Sequence, residues 1–281
     1  MRAEPLTGPV AHHAEGPVWW PDWGGLRWVD MLAGDVLSLR EDGGVDRRNV
    51  GRVAAAMRPR RAGGAVLGVD HGFALEEPDG TLRRLEPLWS DDTVRMNEGG
   101  CDPDGRFYCG SMGWDQRPGA GSLYRLDPDG SVRVVLTDVT ISNGLEWSPD
   151  GSLAYYVDTA TGRVDVFHYD HEHGLTGRRQ FVAPEGGGHP DGLTVDEEGG
   201  VWVALYDGGA VHRYTAQGAL DEVVEVPTAK VTACTLGGPR LDQLFITTSA
   251  ENLEPGSDPL AGCLFTADVG VRGRPVREFA G

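Results

Sequence analysis

The chain reads as an all-β six-bladed propeller with four-stranded antiparallel blades, one domain over residues 1–281. Three observations predict this. The first is a strand-turn-strand unit, clearest between Asn143 and Asp158. A polar residue and a glycine open it, a short apolar run follows, and Ser148-Pro-Asp-Gly151 turns the chain back into Leu153–Val157. Proline presets φ in such a turn and glycine is free to take φ > 0. The second is recurrence. The opening positions fall near residues 15, 55, 97, 143, 191 and 233, in steps of 40 to 48 residues. That is the length of one four-stranded blade. The third is composition: 42 glycines, 18 prolines and 40% hydrophobic residues suit many short strands and tight turns.

The elements follow in order. Residues 1–14 are expected to supply a strand that joins the last blade and closes the ring, with Gly262–Asp268 as its partner. Closure removes the open edges that invite aggregation. Blade one runs from Glu15-Gly-Pro-Val-Trp19 through Leu26–Asp30 to an outer strand at Asp35–Leu39. Blade two covers about Val53 to Leu85, with turns at Gly63-Gly64 and Pro78-Asp-Gly80. Blade three covers about Val94 to Leu136 and carries a longer loop, Ser111–Ala120, of the kind that often covers a site. Blade four starts at Ile141 and has Gly162–Asp170 as an outer strand, with His168, His171 and His173 at its end. Exposed histidines on an outer turn read as solvated. Blade five covers Glu185 to Val226 and blade six Val231 to Phe265.

The formal net charge of −18 argues against nucleic acid or an anionic membrane as partner, and is compatible with attracting a cation. Lysine occurs once, at Lys230. Cys101, Cys109, Cys234 and Cys263 lack zinc spacing and read as buried thiols. No apolar leader or run of 18 apolar residues is present, so a cytoplasmic protein is expected, as monomer or homodimer.

Equivalent strand starts in a propeller converge on the central channel. Here those positions hold Glu15, Asn97, Asn143 and Asp191. Two carboxylates and two carboxamides around one axis make a hard-oxygen site, suited to Ca²⁺, Mg²⁺, Mn²⁺ or Zn²⁺. The alternative is that these residues only cap strand ends.

The residues that carry a resemblance are Glu15-Gly-Pro-Val-Trp19, Arg95-Met-Asn97 with Asp102-Pro-Asp-Gly-Arg-Phe107, Gly110-Ser-Met112, Gly121-Ser-Leu-Tyr124, Ile141-Ser-Asn-Gly-Leu145 with Trp147-Ser-Pro-Asp-Gly151, and Pro190-Asp-Gly-Leu193. Through them the chain resembles, over its whole length, the SMP-30/gluconolactonase/luciferin-regenerating-enzyme family. The resemblance implies one divalent cation held by Glu15, Asn143 and Asp191. It implies that Arg95, Asn97 and Asp115 face the substrate. It implies hydrolysis of a sugar lactone, with Asp191 as general base. The family usually shows Asn-Asp-Gly-Lys where this chain has Asn97-Glu98-Gly99-Gly100, a departure that leaves the substrate open. A calcium- or ligand-binding regulatory propeller without turnover, or an enzyme acting on a non-sugar ester or carbonyl, are the other readings. His189, two residues before Asp191, reads as a turn residue beside the site.

Overall fold

Each repeat folds as a four-stranded antiparallel sheet, and six such sheets make the molecule. The computed structural model describes residues 1–281. After β1 (Glu4–Pro5), blade one comprises β2 (Ala14–Trp20), β3 (Gly25–Asp30), β4 (Asp35–Leu39) and β5 (Val45–Asn49). Blade two comprises β6 (Ala54–Pro59), β7 (Ala65–Val69), β8 (Gly72–Glu76) and β9 (Leu82–Arg84). Blade three comprises β10 (Val94–Cys101), β11 (Phe107–Gly113), β12 (Gly121–Leu126) and β13 (Val132–Val139). Blade four comprises β14 (Ser142–Trp147), β15 (Leu153–Asp158), β16 (Arg163–Asp170) and β17 (Gly174–Val182). Blade five comprises β18 (His189–Val195), β19 (Val201–Tyr206), β20 (Ala210–Tyr214) and β21 (Leu220–Glu225). Blade six takes β22 (Val231–Gly237), β23 (Gln243–Thr248) and β24 (Phe265–Asp268) from the C-terminal part and β1 from the N-terminus.

The Pro-Asp-Gly turns work as their sequence suggests. Asp79, Asp129 and Asp150 each accept a hydrogen bond from the backbone N–H two residues on, at 2.8, 2.9 and 3.0 Å. The glycine between takes φ of +83°, +87° and +76° at Gly80, Gly130 and Gly151. The core lies between blades. One cluster joins Val29 and Val36 of blade one to Leu67 and Phe73 of blade two and Phe107 of blade three. A lone blade would leave those faces wet, which is why the repeats stand or fall together. All four cysteines are buried free thiols. No helix is long and apolar enough to cross a membrane.

Closure differs from the expected strand over residues 1–14. Only Glu4 and Pro5 pair with Thr266 and Phe265 of β24. Pro5, Gly8 and Pro9 explain the brevity, since proline cannot donate to a ladder and glycine weakens one. Residues 269–281 add a closure that the repeat pattern does not contain. This tail crosses the inner hairpin turns at the face where the innermost strands end. Gly273 N donates to Leu241 O in blade six, and Arg272 O accepts from Glu197 N in blade five. Arg277 Nη1 donates to Glu146 Oε1 of blade four at 3.1 Å. Ala280 N donates to Gly105 O in blade three, and Phe279 exchanges backbone bonds with Pro59 and Arg61 in blade two.

Candidate active site

Six inner strands carry the same irregularity at the same place. Pairing with the next strand skips between Glu15 and Val18, Ala54 and Ala56, Met96 and Gly99, Ser142 and Leu145, Pro190 and Leu193, and Val231 and Ala233. A bulge re-aims the side chain beside it. In blades one, three, four and five that side chain is Glu15, Asn97, Asn143 or Asp191, so the polar strand starts mark bulges that turn polar groups toward the channel. The following glycine has a second cause. A Cβ at Gly144 would lie 2.8 Å from Asp191 O, and one at Gly192 would lie 2.8 Å from Ala233 Cα. Neighbouring inner strands approach too closely there for any side chain.

All four polar residues, with Arg95 and His189, line one cavity of roughly 650 Å³. Asn143 is oriented by its neighbours. Thr159 Oγ1 donates to Pro190 O at 2.8 Å, so it accepts from Asn143 Nδ2 at 2.7 Å. Asn143 Oδ1 therefore faces the channel, where Asn97 Nδ2 donates to it at 2.8 Å. Asn97 also donates to Ser142 O at 2.7 Å and accepts from Arg95 Nη1 at 2.5 Å. Its amide thus ties Arg95 to Asn143. All the protein hydrogen bonds of the Arg95 guanidinium run from Nη1, which also reaches Met96 O at 3.0 Å. Trp114 stacks over that guanidinium at 5.0 Å.

The electrostatics are those of buried like charges. Burial raises the Glu15 carboxyl, and the charge of Glu98 raises it further. Burial raises Asp191 as well, then Glu15, Glu98 and Glu251 push the same way. Asp191 Oδ1 is buried with no hydrogen-bond partner. Burial lowers Arg95 to about 10. No three His, Cys, Asp or Glu side chains gather at one point, so a cation here would rely on the Asn143 carboxamide as third ligand. The orphaned Asp191 oxygen, two mutually repelling buried carboxylates and an oriented carboxamide oxygen fit a hard divalent cation.

One predicted site residue sits differently. Asp115 lies outside the cavity wall: its exposed carboxylate accepts from Arg117 Nη1 at 3.3 Å, and Gln116 and Pro118 of the same loop line the cavity instead. His171 and His173 are exposed, as read from the sequence, at an outer-rim cavity of about 660 Å³ between blades three and four that Arg106 and Arg125 also line.

Residues that the repeat did not single out complete the wall: His13, Thr159, Tyr206, Asp207 and Glu251. His13 Nδ1 lies 2.7 Å from Ser249 Oγ, and burial lowers its pKa to about 3, so the ring is neutral at pH 7. Its place two residues before Glu15 is the one signal that could have found it.

Glu98 occupies the channel beneath the site. The equivalent position in the other blades is small: Gly16, Ala55, Gly144, Gly192 and Ala233. Burial raises Glu98 to about 7, Arg58 pulls it back, and Glu98 Oε2 has no partner. The departure at Gly100 has a local reason. A Cβ there would lie 2.6 Å from Leu145 O and 3.5 Å from Arg58 Nη2, so an arginine of blade two stands beside the place of the missing lysine.

Glu98→Gln is expected to stabilise the metal-free protein at pH 8 and not at pH 4. A carboxyl whose folded pKa is raised costs nothing below its unfolded pKa; the cost grows between the two and is full above the folded value. From 4.5 to about 7 the full cost is about 3 kcal/mol. For this chain length that is roughly 6 °C in Tm. Equal melting shifts at pH 4 and pH 8 would refute the account.

Residues 13–250 match the model of the SMP-30/gluconolactonase/LRE-like region. A pentonolactonase of Haloferax volcanii is 38% identical, over 93% of this chain and 92% of its own. A regucalcin of Danio rerio is 33% identical, over 95% and 94%. A 6-deoxy-6-sulfogluconolactonase of Pseudomonas putida is 35% identical, over 95% and 94%. Among solved structures, a calcium-binding regucalcin from Agrobacterium tumefaciens superimposes with a TM-score of 0.93 at 28% identity, covering 99% of this chain and 97% of that one.

Proposed function

The chain belongs to the SMP-30/gluconolactonase/LRE-like family, and from that premise we propose that it is a metal-dependent lactonase that opens sugar lactones. The observation that carries the reading is the buried, partnerless Asp191 Oδ1 beside the Glu15 carboxylate and the oriented Asn143 amide. Glu15, Asn143 and Asp191 would hold one divalent cation, Ca²⁺, Zn²⁺, Mg²⁺ or Mn²⁺. Bound there, such an ion supplies Lewis-acid polarisation of an ester carbonyl and acidifies nearby water.

The chain's own groups do the rest. Asp191 takes a proton from the attacking water as it adds to the lactone carbonyl. The ring C–O bond then breaks, and the same carboxyl returns the proton to the departing oxygen, leaving a hydroxy acid. Arg95 presents its Nη2 edge to substrate oxygens, while Asn97, fully engaged on Arg95 and Asn143, positions both. Thr159 and His13 fix Asn143 and stand beside Glu15.

The test is acid release from a panel of aldonolactones by chelated protein, before and after adding each ion. Turnover should vanish with chelator and return with one or more ions. At 100 times its Kd, the ion should add about 2.7 kcal/mol of stability. That is roughly 5 °C in Tm. Metal-dependent stabilisation without turnover of any lactone would favour a binding role of the kind the regucalcin name suggests. Turnover restricted to a non-sugar ester would move the activity outside sugar metabolism. The names of the relatives, pentonolactonase and 6-deoxy-6-sulfogluconolactonase, leave the lactone itself open.

A further inference from the structure

The charges on the cavity wall are unevenly answered. Four carboxylates line it, Glu15, Asp191, Asp207 and Glu251, against one guanidinium, Arg95. Glu15 and Asp191 belong to the reacting centre. Asp207 has an answer behind the wall, because Lys230 Nζ lies 4.0 Å from its Oδ1 while donating to Tyr206 OH at 3.0 Å. Glu251 has none. Its one charge-capable neighbour within contact distance is His13, whose Nδ1 lies 3.7 Å away, beyond hydrogen-bond reach, and is engaged on Ser249 Oγ at 2.7 Å.

Glu251 is also held in place and close to the chemistry. Its backbone N–H donates to Ser249 Oγ at 2.9 Å, and the same hydroxyl meets His13 Nδ1 at 2.7 Å. Its carboxylate is about a quarter exposed, open to the cavity and not sunk in the core. It shares the cavity wall with Glu15, Asp191, Arg95 and Tyr206. An unpaired carboxylate in that position accepts hydrogen bonds from hydroxyl groups and opposes any anion brought alongside it.

We infer that Glu251 is a specificity-determining residue that selects uncharged polyhydroxy lactones and rejects those bearing a phosphate or sulfonate. The inference rests on the lactonase reading and adds the charge class of the substrate. Discrimination here comes from a built-in repulsion as much as from an attraction. Two like charges several ångströms apart in a partly solvated cleft are worth on the order of 10-fold to 10²-fold.

Two measurements on the metal-loaded full chain test it. The first is kcat/KM for an uncharged aldonolactone and for its 6-phosphate. The wild type should favour the uncharged ring by about 10²-fold. Glu251→Gln should cut that ratio by about 10-fold, through a lower KM for the phosphorylated lactone. Raising the salt should narrow the ratio in the wild type and narrow it less in Glu251→Gln, which a merely structural role would not do. The second is calorimetric binding of 1,5-anhydroglucitol and its 6-phosphate, rings that cannot be hydrolysed. The uncharged ring should bind more tightly, and Glu251→Gln should shrink the gap. Should binding keep the preference while no lactone turns over, the lactonase reading falls and the charge selection stands. A phosphorylated ring bound or turned over as well as the uncharged one, no binding of either ring, or a ratio within twofold of wild type in Glu251→Gln, overturns the inference.

Discussion

Asp191→Asn lowers lactone turnover by at least about 10²-fold, the loss expected when a general base is removed, and raises the melting temperature of the metal-free protein at pH 8. The two effects share one cause. Asp191 is buried with Oδ1 unpartnered, and Glu15, Glu98 and Glu251 all raise its pKa. Without a cation the folded state holds a charge that it cannot solvate. The sign follows from the direction of the shift. The raised folded pKa makes the cost absent near pH 4 or below, where the unfolded carboxyl is also protonated, and growing as pH rises toward neutrality. Asparagine keeps the shape and one acceptor but removes the charge, so its gain should be small at pH 4 and larger at pH 8. Saturating metal should reverse the order, since the wild type then gains more. Melting curves with chelator and with metal, read beside kcat, check both halves. A variant that is inactive yet no more stable without metal would separate catalysis from the electrostatic strain proposed here.

Much of this was legible because a propeller repeats its physics. The polar-glycine pairs at Asn143-Gly144 and Asp191-Gly192 could be read as strand starts from spacing alone. What makes them glycine was not visible: the next blade's backbone comes within 2.8 Å of where a Cβ would be. The bulges were hidden for the same reason, since a skipped pairing is a relation between two strands and leaves no mark on either one. Glu15, Asn97, Asn143 and Asp191 share one cavity, as their repeat positions suggested, and Arg95 joins them there, as the resemblance implied. Asp115 does not, because a residue on the Ser111–Ala120 loop has no periodic position to fix its direction, and the nearby Arg117 claims its carboxylate. His13, Tyr206 and Glu251 went unread because they reach the cavity from just outside the inner strands or from strand ends, where the repeat carries no polar signature. Glu98 shows how a single position can mislead. Compared with a family pattern it looks like a substrate residue, but compared with its five counterparts in the ring it is the one large side chain in a channel of glycine and alanine.

Phe279→Ala is expected to cost about 3–5 kcal/mol, although Phe279 lies in no blade and at the opposite end from the site. The ring is fully buried at 1% exposure, packed into the cluster shared by blades one, two and three. Its backbone pairs on both sides, N to Pro59 O and O to Arg61 N. Removing the side chain leaves a cavity under a segment that touches the inner turns of five blades. Arg277→Ala, by contrast, removes partly exposed bonds to Glu146 and Ser148 and should cost about 1 kcal/mol. Urea unfolding of both variants provides the comparison, and a Phe279→Ala loss below about 1 kcal/mol would show that the tail merely rests on the ring. Activity should fall before global unfolding in Phe279→Ala. Glu15, Asn143 and Asp191 come from three different blades, so their spacing depends on how tightly the blades are drawn together. Circular dichroism and lactone turnover followed in the same urea series would then part company, with turnover lost first. Coincident loss in the variant would mean that the beginning-to-end sheet of blade six holds the ring shut by itself.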